Sequence, residues 1–205
     1  MPGSIFSRDQ RGLAAARAIQ LDTDVPSRYR AIAIALHWLM AIVLILLVVL
    51  GLYMVSLPDV GFDTRKIVLI LYHKQVGIFA LTLAVLRLAW RVGHALPALV
   101  ETLPEWQKVI ARFVHLCLYG LMFALPVTGW LMSSAAGFPV SFLGLFELPD
   151  LISHNDYLFR AFVQAHKWLS YALIGLTLLH IGAALGHHFL AKDETLQKML
   201  PRAHF

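Results

Sequence analysis

Residues 31–57 read AIAIALHWLMAIVLILLVVLGLYMVSL and include no Asp, Glu, Lys or Arg. A helix rises about 1.5 Å per residue, so a stretch of this length can cross the roughly 30 Å hydrocarbon core of a bilayer. The one side chain in it that titrates near neutral pH is His37. We therefore predict that the stretch is a transmembrane helix.

Three more apolar stretches follow, at about 67–90, 109–134 and 163–191. Across all 205 residues, 59% are hydrophobic and 14% are charged, whereas soluble domains carry about 25% charged residues. The pattern predicts an all-α fold, an integral membrane four-helix bundle formed by residues 27–205. Residues 1–26 are polar and lack the apolar core of a signal peptide, so they are predicted to form a cytoplasmic N-terminal tail, either disordered or partly helical.

Lysines and arginines divide unevenly between the two sides of this bundle. With both termini on one side, that side collects twelve of them and the other side five. By the positive-inside rule, both termini are predicted to be cytoplasmic. Because these cations flank apolar segments and form no patch, they suit anionic membrane lipid and not nucleic acid. The twelve are Arg8, Arg11, Arg17, Arg28, Arg30, Arg87, Arg91, Lys108, Arg112, Lys192, Lys198 and Arg202, and the five are Arg65, Lys66, Lys74, Arg160 and Lys167.

The predicted spans also contain histidines. An ionisable side chain in a span is energetically costly, so a functional role is expected, although a lone histidine can equally bond a neighbouring helix. His166 and His180 are fourteen residues apart, which places both on one face of a helix about 21 Å apart along its axis. The single cysteine, Cys117, excludes an internal disulfide, and no Cys-x-x-Cys-His motif for covalent haem is present. Six of the histidines in the spans are considered as candidates: His37, His73, His115, His166, His180 and His187.

Helix direction matches four of these histidines by depth. Since successive spans alternate in direction, His37 and His180 are predicted to lie toward the cytoplasm, and His73 and His166 toward the outside. Each pair comes from two different helices, as bis-histidine ligation of a flat haem between helices requires. The sequence therefore predicts an inner haem b on the first pair and an outer haem b on the second. Zinc is less suitable, because its ligands cluster closely and the spans contain no acidic residues.

Other residues of the predicted spans have more than one interpretation. His115 and His187, near cytoplasmic helix ends, are predicted either to contact haem propionates, to line a quinone site or to lie at the wet interface. Gly77, Gly175 and Gly182 either give a porphyrin room or allow ordinary close helix packing.

Several motifs together resemble one known family. From about residue 27 to 202, the chain is similar to the bacterial cytochrome b561 group of four-helix, di-haem membrane proteins. The resemblance implies two non-covalent haem b groups held by the residues matching His37, His73, His166 and His180, a place in the bacterial inner membrane, and ubiquinone as electron acceptor. The matching motifs are His37-Trp38, His73, His115 followed by ALPVTG at 124–129, His166, His180, His187, KDETL at 192–196 and MLPR at 199–202.

Within that family, the chain most resembles the superoxide oxidase type, which implies oxidation of superoxide outside the membrane and electron transfer to ubiquinone. Lys74 and Lys167 each follow a proposed ligand and are candidates for attracting the anion, or else extend toward lipid headgroups. The alternative function is an electron-carrier cytochrome linking the quinone pool to a dehydrogenase partner. A haem-free structural or transport protein is disfavoured by the histidines in the spans. The sequence identifies no catalytic residue.

Overall fold

The computed structural model describes residues 26, 28–58, 64–97 and 103–201. Four long helices dominate these ranges: α1 (Ala31–Ser56), α2 (Thr64–Gly93), α3 (Glu105–Ala135) and α4 (Asp156–Gly186). Each is long and apolar enough to cross a membrane, which confirms the predicted all-α membrane bundle. Apart from Pro26, the predicted tail 1–26 lies outside the described residues.

The fourth helix begins at Asp156 and not near residue 163. The side chain of Asn155 caps it by accepting the N–H of Leu158 at 3.0 Å. Asp156 then places a negative charge in the first turn, where the helix dipole favours it. An apolar window does not detect such a polar first turn, so it places the start of the helix too late.

Beyond Gly186, α4 continues into a π-helical turn, His187–Ala191. A short 3-10 helix, Gln197–Met199, follows it. Carbonyls of this C-terminal segment accept hydrogen bonds from Arg28, and the indole N–H of Trp38 donates to Met199 at 2.8 Å. Both ends of the described chain therefore lie at the same face of the bundle.

Close backbone packing joins α1 to α2, α2 to α3 and α3 to α4. Ala80 and Ala84 are almost completely buried, and such small side chains let neighbouring membrane helices approach closely. Leu173, in the middle of α4, joins a second buried cluster with Leu121 and Leu125 of α3. The first cluster, mainly between α1 and α2, consists of Met40, Val43, Ala80, Leu83, Ala84 and Met122.

A β-hairpin occupies the connection between α3 and α4. Its strands, β1 (Val140–Phe142) and β2 (Phe146–Leu148), are antiparallel. Leu143 and Gly144 between them have φ values of 51° and 75°, as a type I′ turn requires. Strand β1 packs against α2, so the hairpin covers the end of the bundle at which α2 and α4 begin.

Candidate functional site

Four histidines form two pairs at different depths of the bundle. The ring centroids of His37 on α1 and His180 on α4 are 6.2 Å apart, with an interplanar angle of 72°. Those of His73 on α2 and His166 on α4 are 6.3 Å apart, with an angle of 75°. All four side chains are half-buried. The structure thus brings together the same two pairs that helix direction predicts.

The spacing of each pair fits two axial ligands of one metal. A bond between a metal and an imidazole nitrogen is about 2 Å long, and the ring centre lies about 1 Å further, so opposed rings have centroids about 6 Å apart. Among the described residues, the Nδ1 atoms of His37 and His73 are buried and have no hydrogen-bond partner, and a buried polar atom of this kind calls for an explanation. Within the described ranges, no group of three or more His, Cys, Asp or Glu side chains is placed to hold a bare metal ion. Paired imidazoles without further donors suit haem, whose porphyrin supplies the other four ligands.

Thr128 on α3 orients the ring of His166. Its hydroxyl donates to the carbonyl of Leu125 at 2.9 Å and lies 3.2 Å from Nδ1 of His166. Because that hydroxyl proton is already used, Nδ1–H of His166 donates to the threonine oxygen. The tautomer leaves Nε2 as the free ligand atom, which is the usual role of a second residue behind a metal-binding histidine.

Two glycines lie against the rings of the outer pair. A Cβ at Gly51 of α1 would lie 3.4 Å from Cε1 of His73, and one at Gly129 of α3 would lie 3.5 Å from Cε1 of His166. Each outer ring therefore lies against a glycine of the preceding helix, where an added Cβ would be in ordinary van der Waals contact with the ring.

The three glycines singled out from the sequence have more open surroundings than Gly51 and Gly129. A Cβ added to Gly77, Gly175 or Gly182 meets no heavy atom within 4 Å. Close packing against another helix therefore does not require glycine at these positions.

Polar and charged side chains lie around the inner pair, His37 and His180. The ring of His115 lies 5.3 Å from that of His180, at 72°, which is closer than opposed axial ligands allow. Arg87 on α2 lies within electrostatic range of His37, His115 and His180. Its Nε–H donates to the hydroxyl of Tyr119 at 3.2 Å. His115 thus lies beside the inner pair and not opposite either ligand.

His187 is held by the C-terminal segment. Its Nδ1–H donates to Oδ2 of Asp193 at 2.7 Å, and the N–H of Thr195 donates to the other carboxylate oxygen at 2.8 Å. Burial alone would raise the pKa of Asp193, but the hydrogen bonds from Thr195 and His187 outweigh it and lower that pKa. At most Nε2 of His187 therefore remains for a ligand.

The two lysines beside the outer ligands differ in environment. The ammonium of Lys74 donates to the carbonyl of Pro139 at 2.9 Å and lies near the carboxylate of Asp150. Lys167 is exposed. Among the described residues, the charge of Lys167 is therefore less compensated than that of Lys74.

Sequence reasoning missed several residues that surround these histidines. Thr128 and Gly129 belong to the ALPVTG stretch, but only the fold shows that they face His166. Gly51 lies among apolar residues without a local signal. Arg87 and Arg91 have the spacing of one helical turn, a pattern that first suggested only contact with lipid headgroups.

Comparison with known proteins agrees with this arrangement. A sequence profile of the prokaryotic cytochrome b561 family matches residues 28–202. Two proteins of Escherichia coli K12 are similar. Cytochrome b561 homolog 2 is 35% identical over 88% of this chain and 95% of its own length. Cytochrome b561 homolog 1 is 35% identical over 63% of this chain and 73% of its own length. The probable superoxide oxidase CybB of Yersinia pestis is 28% identical over 85% of this chain and 97% of its own. The chain therefore belongs to the prokaryotic cytochrome b561 family of membrane-embedded, electron-carrying haem b proteins.

Proposed function

We propose that the chain holds two haem b groups, an inner one on His37 and His180 and an outer one on His73 and His166. The observation that carries this proposal is the pair of ring separations, 6.2 and 6.3 Å, at two depths of one bundle. Along the continuous helix α4, the two ligands are fourteen residues apart, or about 21 Å. Bound haem supplies one-electron transfer at each depth, and the protein fixes the order of the two sites across the membrane.

The proposed reaction is the oxidation of superoxide on the outer side of the bacterial inner membrane and the reduction of ubiquinone. Each superoxide loses one electron and becomes oxygen, and two such electrons with two protons convert ubiquinone to ubiquinol. Similarity to a protein named as a probable superoxide oxidase supports this substrate. Exposed Lys167, directly after His166, supports it further because a local positive charge attracts a small anion.

The second candidate is a carrier cytochrome that passes electrons between the quinone pool and a dehydrogenase partner. It is favoured by the relatives at 35% identity, whose names state only that they are cytochrome b561 homologs. Its expected signature is reduction by a quinol or a partner protein, and not by superoxide.

The test supplies an enzymatic superoxide source to the purified holoprotein, with and without ubiquinone. Haem reduction is expected, should be suppressed by superoxide dismutase, and should slow as salt screens the outer charge. Reduction that persists with the dismutase contradicts the superoxide reaction and favours the carrier. Haem content of two per chain is the accompanying measurement, and one or none contradicts the ligand assignment.

Charge variants sharpen this test. Lys167→Gln should slow reduction by superoxide and weaken its salt dependence more than Lys74→Gln, since the Lys74 ammonium is already hydrogen-bonded and near Asp150. Lys192→Gln is the matched control, because Lys192 is also exposed but lies beyond the opposite end of α4. Equal effects of Lys167→Gln and Lys192→Gln would mean that no local attraction guides the substrate.

A further inference from the structure

Two arginines near the end of α2 surround one aromatic ring beside the inner histidines. The guanidinium carbons of Arg87 and Arg91 lie 5.5 and 5.4 Å from the ring centre of Tyr119. Both side chains are half-buried. Two like charges held around one ring repel each other, and this repulsion is stronger where water is partly excluded. The arrangement therefore favours a bound anion.

The described part of the chain does not supply that anion. Neither Arg87 nor Arg91 belongs to an ion pair between described residues such as Lys108 with Glu105, His154 with Asp156 or His187 with Asp193. Arg87 lies six residues before the end of α2 at Gly93, or about 9 Å inside it. A charge at that depth of a membrane helix normally has a partner.

The surroundings of the two arginines indicate which anion binds. Arg87 interacts electrostatically with His37 and His180, the two rings of the inner pair, and both arginines interact with His115. Haem b carries two propionate carboxylates at one edge, and the planar guanidinium matches a carboxylate with two parallel hydrogen bonds. A phosphate of a lipid headgroup has similar chemistry but would approach from beyond the helix end, away from His37 and His180.

We propose that Arg87 and Arg91 bind the two propionates of the inner haem, that His115 borders the same site, and that Tyr119 positions the arginines. This inference rests on the proposed binding of a haem by His37 and His180. Binding of the propionates by these arginines would fix the rotation of the inner haem within its plane, so that the carboxylate edge would face α2 and α3. Tyr119 has a positioning role in this proposal. It holds the guanidinium of Arg87 through its hydroxyl and both guanidiniums through its ring.

The experiment compares haemin with its dimethyl ester, in which both propionates are blocked. Full-length protein made in a haem-deficient host is loaded in membranes with either compound, and each site is titrated by its absorption spectrum. Arg87→Gln and Arg91→Gln should each weaken binding of haemin at the inner site at least tenfold, leave the dimethyl ester unchanged, and leave the outer site unchanged. Arg87→Lys should be intermediate, because lysine keeps the charge without the planar fork. Arg112→Gln is the control: Arg112 is exposed near the same end of the bundle.

A second readout is the midpoint potential of the inner haem in the purified holoprotein. Loss of a nearby positive charge weakens binding of the reduced haem more than binding of the oxidised haem, so the potential should fall. The fall is about 59 mV for each tenfold change in the ratio of the two affinities of this one-electron couple. Tyr119→Phe should lower the haemin affinity less than either arginine variant, and it should preserve the preference for haemin over the ester.

Three outcomes would overturn the inference. One is equal weakening of haemin and its ester, and another is no weakening in either arginine variant. The third is haemin binding that is unchanged while retention of anionic lipid falls, which would assign the arginines to a headgroup. Failure of the proposed haem ligation is distinguishable, because the unaltered protein would then bind neither compound at the inner site.

Discussion

Replacing Thr128 with valine tests whether Thr128 orients His166 as a ligand of the proposed outer haem. Valine is close to threonine in shape but has no hydroxyl, so the substitution removes the acceptor of Nδ1–H of His166. The ring then loses the hydrogen bond that fixes its tautomer and orientation. The perturbation is confined to α3 and leaves both outer ligands, His73 and His166, in place.

The structure sets the size of the effect. A net hydrogen bond contributes about 0.5–1.5 kcal/mol, and a buried donor without a partner costs about 1–3 kcal/mol. The carbonyl of Leu125 is also within hydrogen-bonding reach of His166, so part of the loss is recovered. We therefore expect about 1.4 kcal/mol, a roughly tenfold fall in outer haem affinity, at the lower end of the range of about 10–100-fold for residues that support metal ligands.

The assay measures haem dissociation and midpoint potential for the two haems separately. Thr128→Val should affect only the outer haem. Its potential should also rise, because an imidazole without that hydrogen bond is a weaker donor to the oxidised iron. Thr128→Ser should restore the behaviour of the unaltered protein. Ser170→Ala is the matched control, because Ser170 donates to the backbone carbonyl of His166 at 2.7 Å and not to its ring. Equal loss of both haems in Thr128→Val, or no change in a folded protein, would refute the assignment of His166.

Three further predictions concern the histidine pairs, the membrane topology and the C-terminal segment. His73→Ala should remove the outer spectral component and His37→Ala the inner one; removal of the same component by both would show that the pairing is wrong. A C-terminal reporter should be active in the cytoplasm, as the distribution of basic residues predicts, and activity only in the periplasm would contradict it. Because hydrogen bonds lower the pKa of Asp193, its stabilisation of the C-terminal segment is present above the unfolded pKa of about 3.9 and is lost as pH falls through the lower folded value. The protection factors of residues 193–200 against hydrogen exchange should therefore be unchanged between pH 6 and 8 and fall in Asp193→Asn, and unchanged protection in that variant would contradict the role of the carboxylate.

The membrane fold was predictable from the sequence because its signal is long and local. Each span is an apolar run of more than twenty residues, and the described helices contain all four. The pairing of His73 with His166 also follows from simple rules, since alternating helices fix depth and a fourteen-residue spacing fixes one face. Those rules need no knowledge of which helices are neighbours.

The supporting residues could not be predicted in the same way, because they depend on which faces meet. Gly51 is one of many small or apolar residues in α1, and its contact with His73 appears only when α1 packs on α2. The hairpin was also missed: its strands are three residues long, and Leu143 has a positive φ that a leucine rarely adopts. His115 was predicted to lie near the cytoplasmic end of its helix, but depth alone did not show that its ring lies 5.3 Å from that of His180.

The charges around the two pairs set an expected direction of electron flow. Arg87 is half-buried and lies close enough to interact with both rings of the inner pair. Near the outer pair, the charge of Lys74 is opposed by Asp150, and Lys167 is exposed to solvent, which screens its charge. A positive charge stabilises the reduced form of a nearby redox centre, which holds one more electron. We therefore expect the inner haem to have the higher midpoint potential, so that electrons move from the outer site to the inner one. That direction is the one that the proposed oxidation of superoxide at the outer site requires. Spectroelectrochemical titration of the holoprotein and of Arg87→Gln measures it: the gap between the two potentials should narrow in the variant, and a higher potential at the outer haem of the unaltered protein would reverse the assignment of donor and acceptor sides.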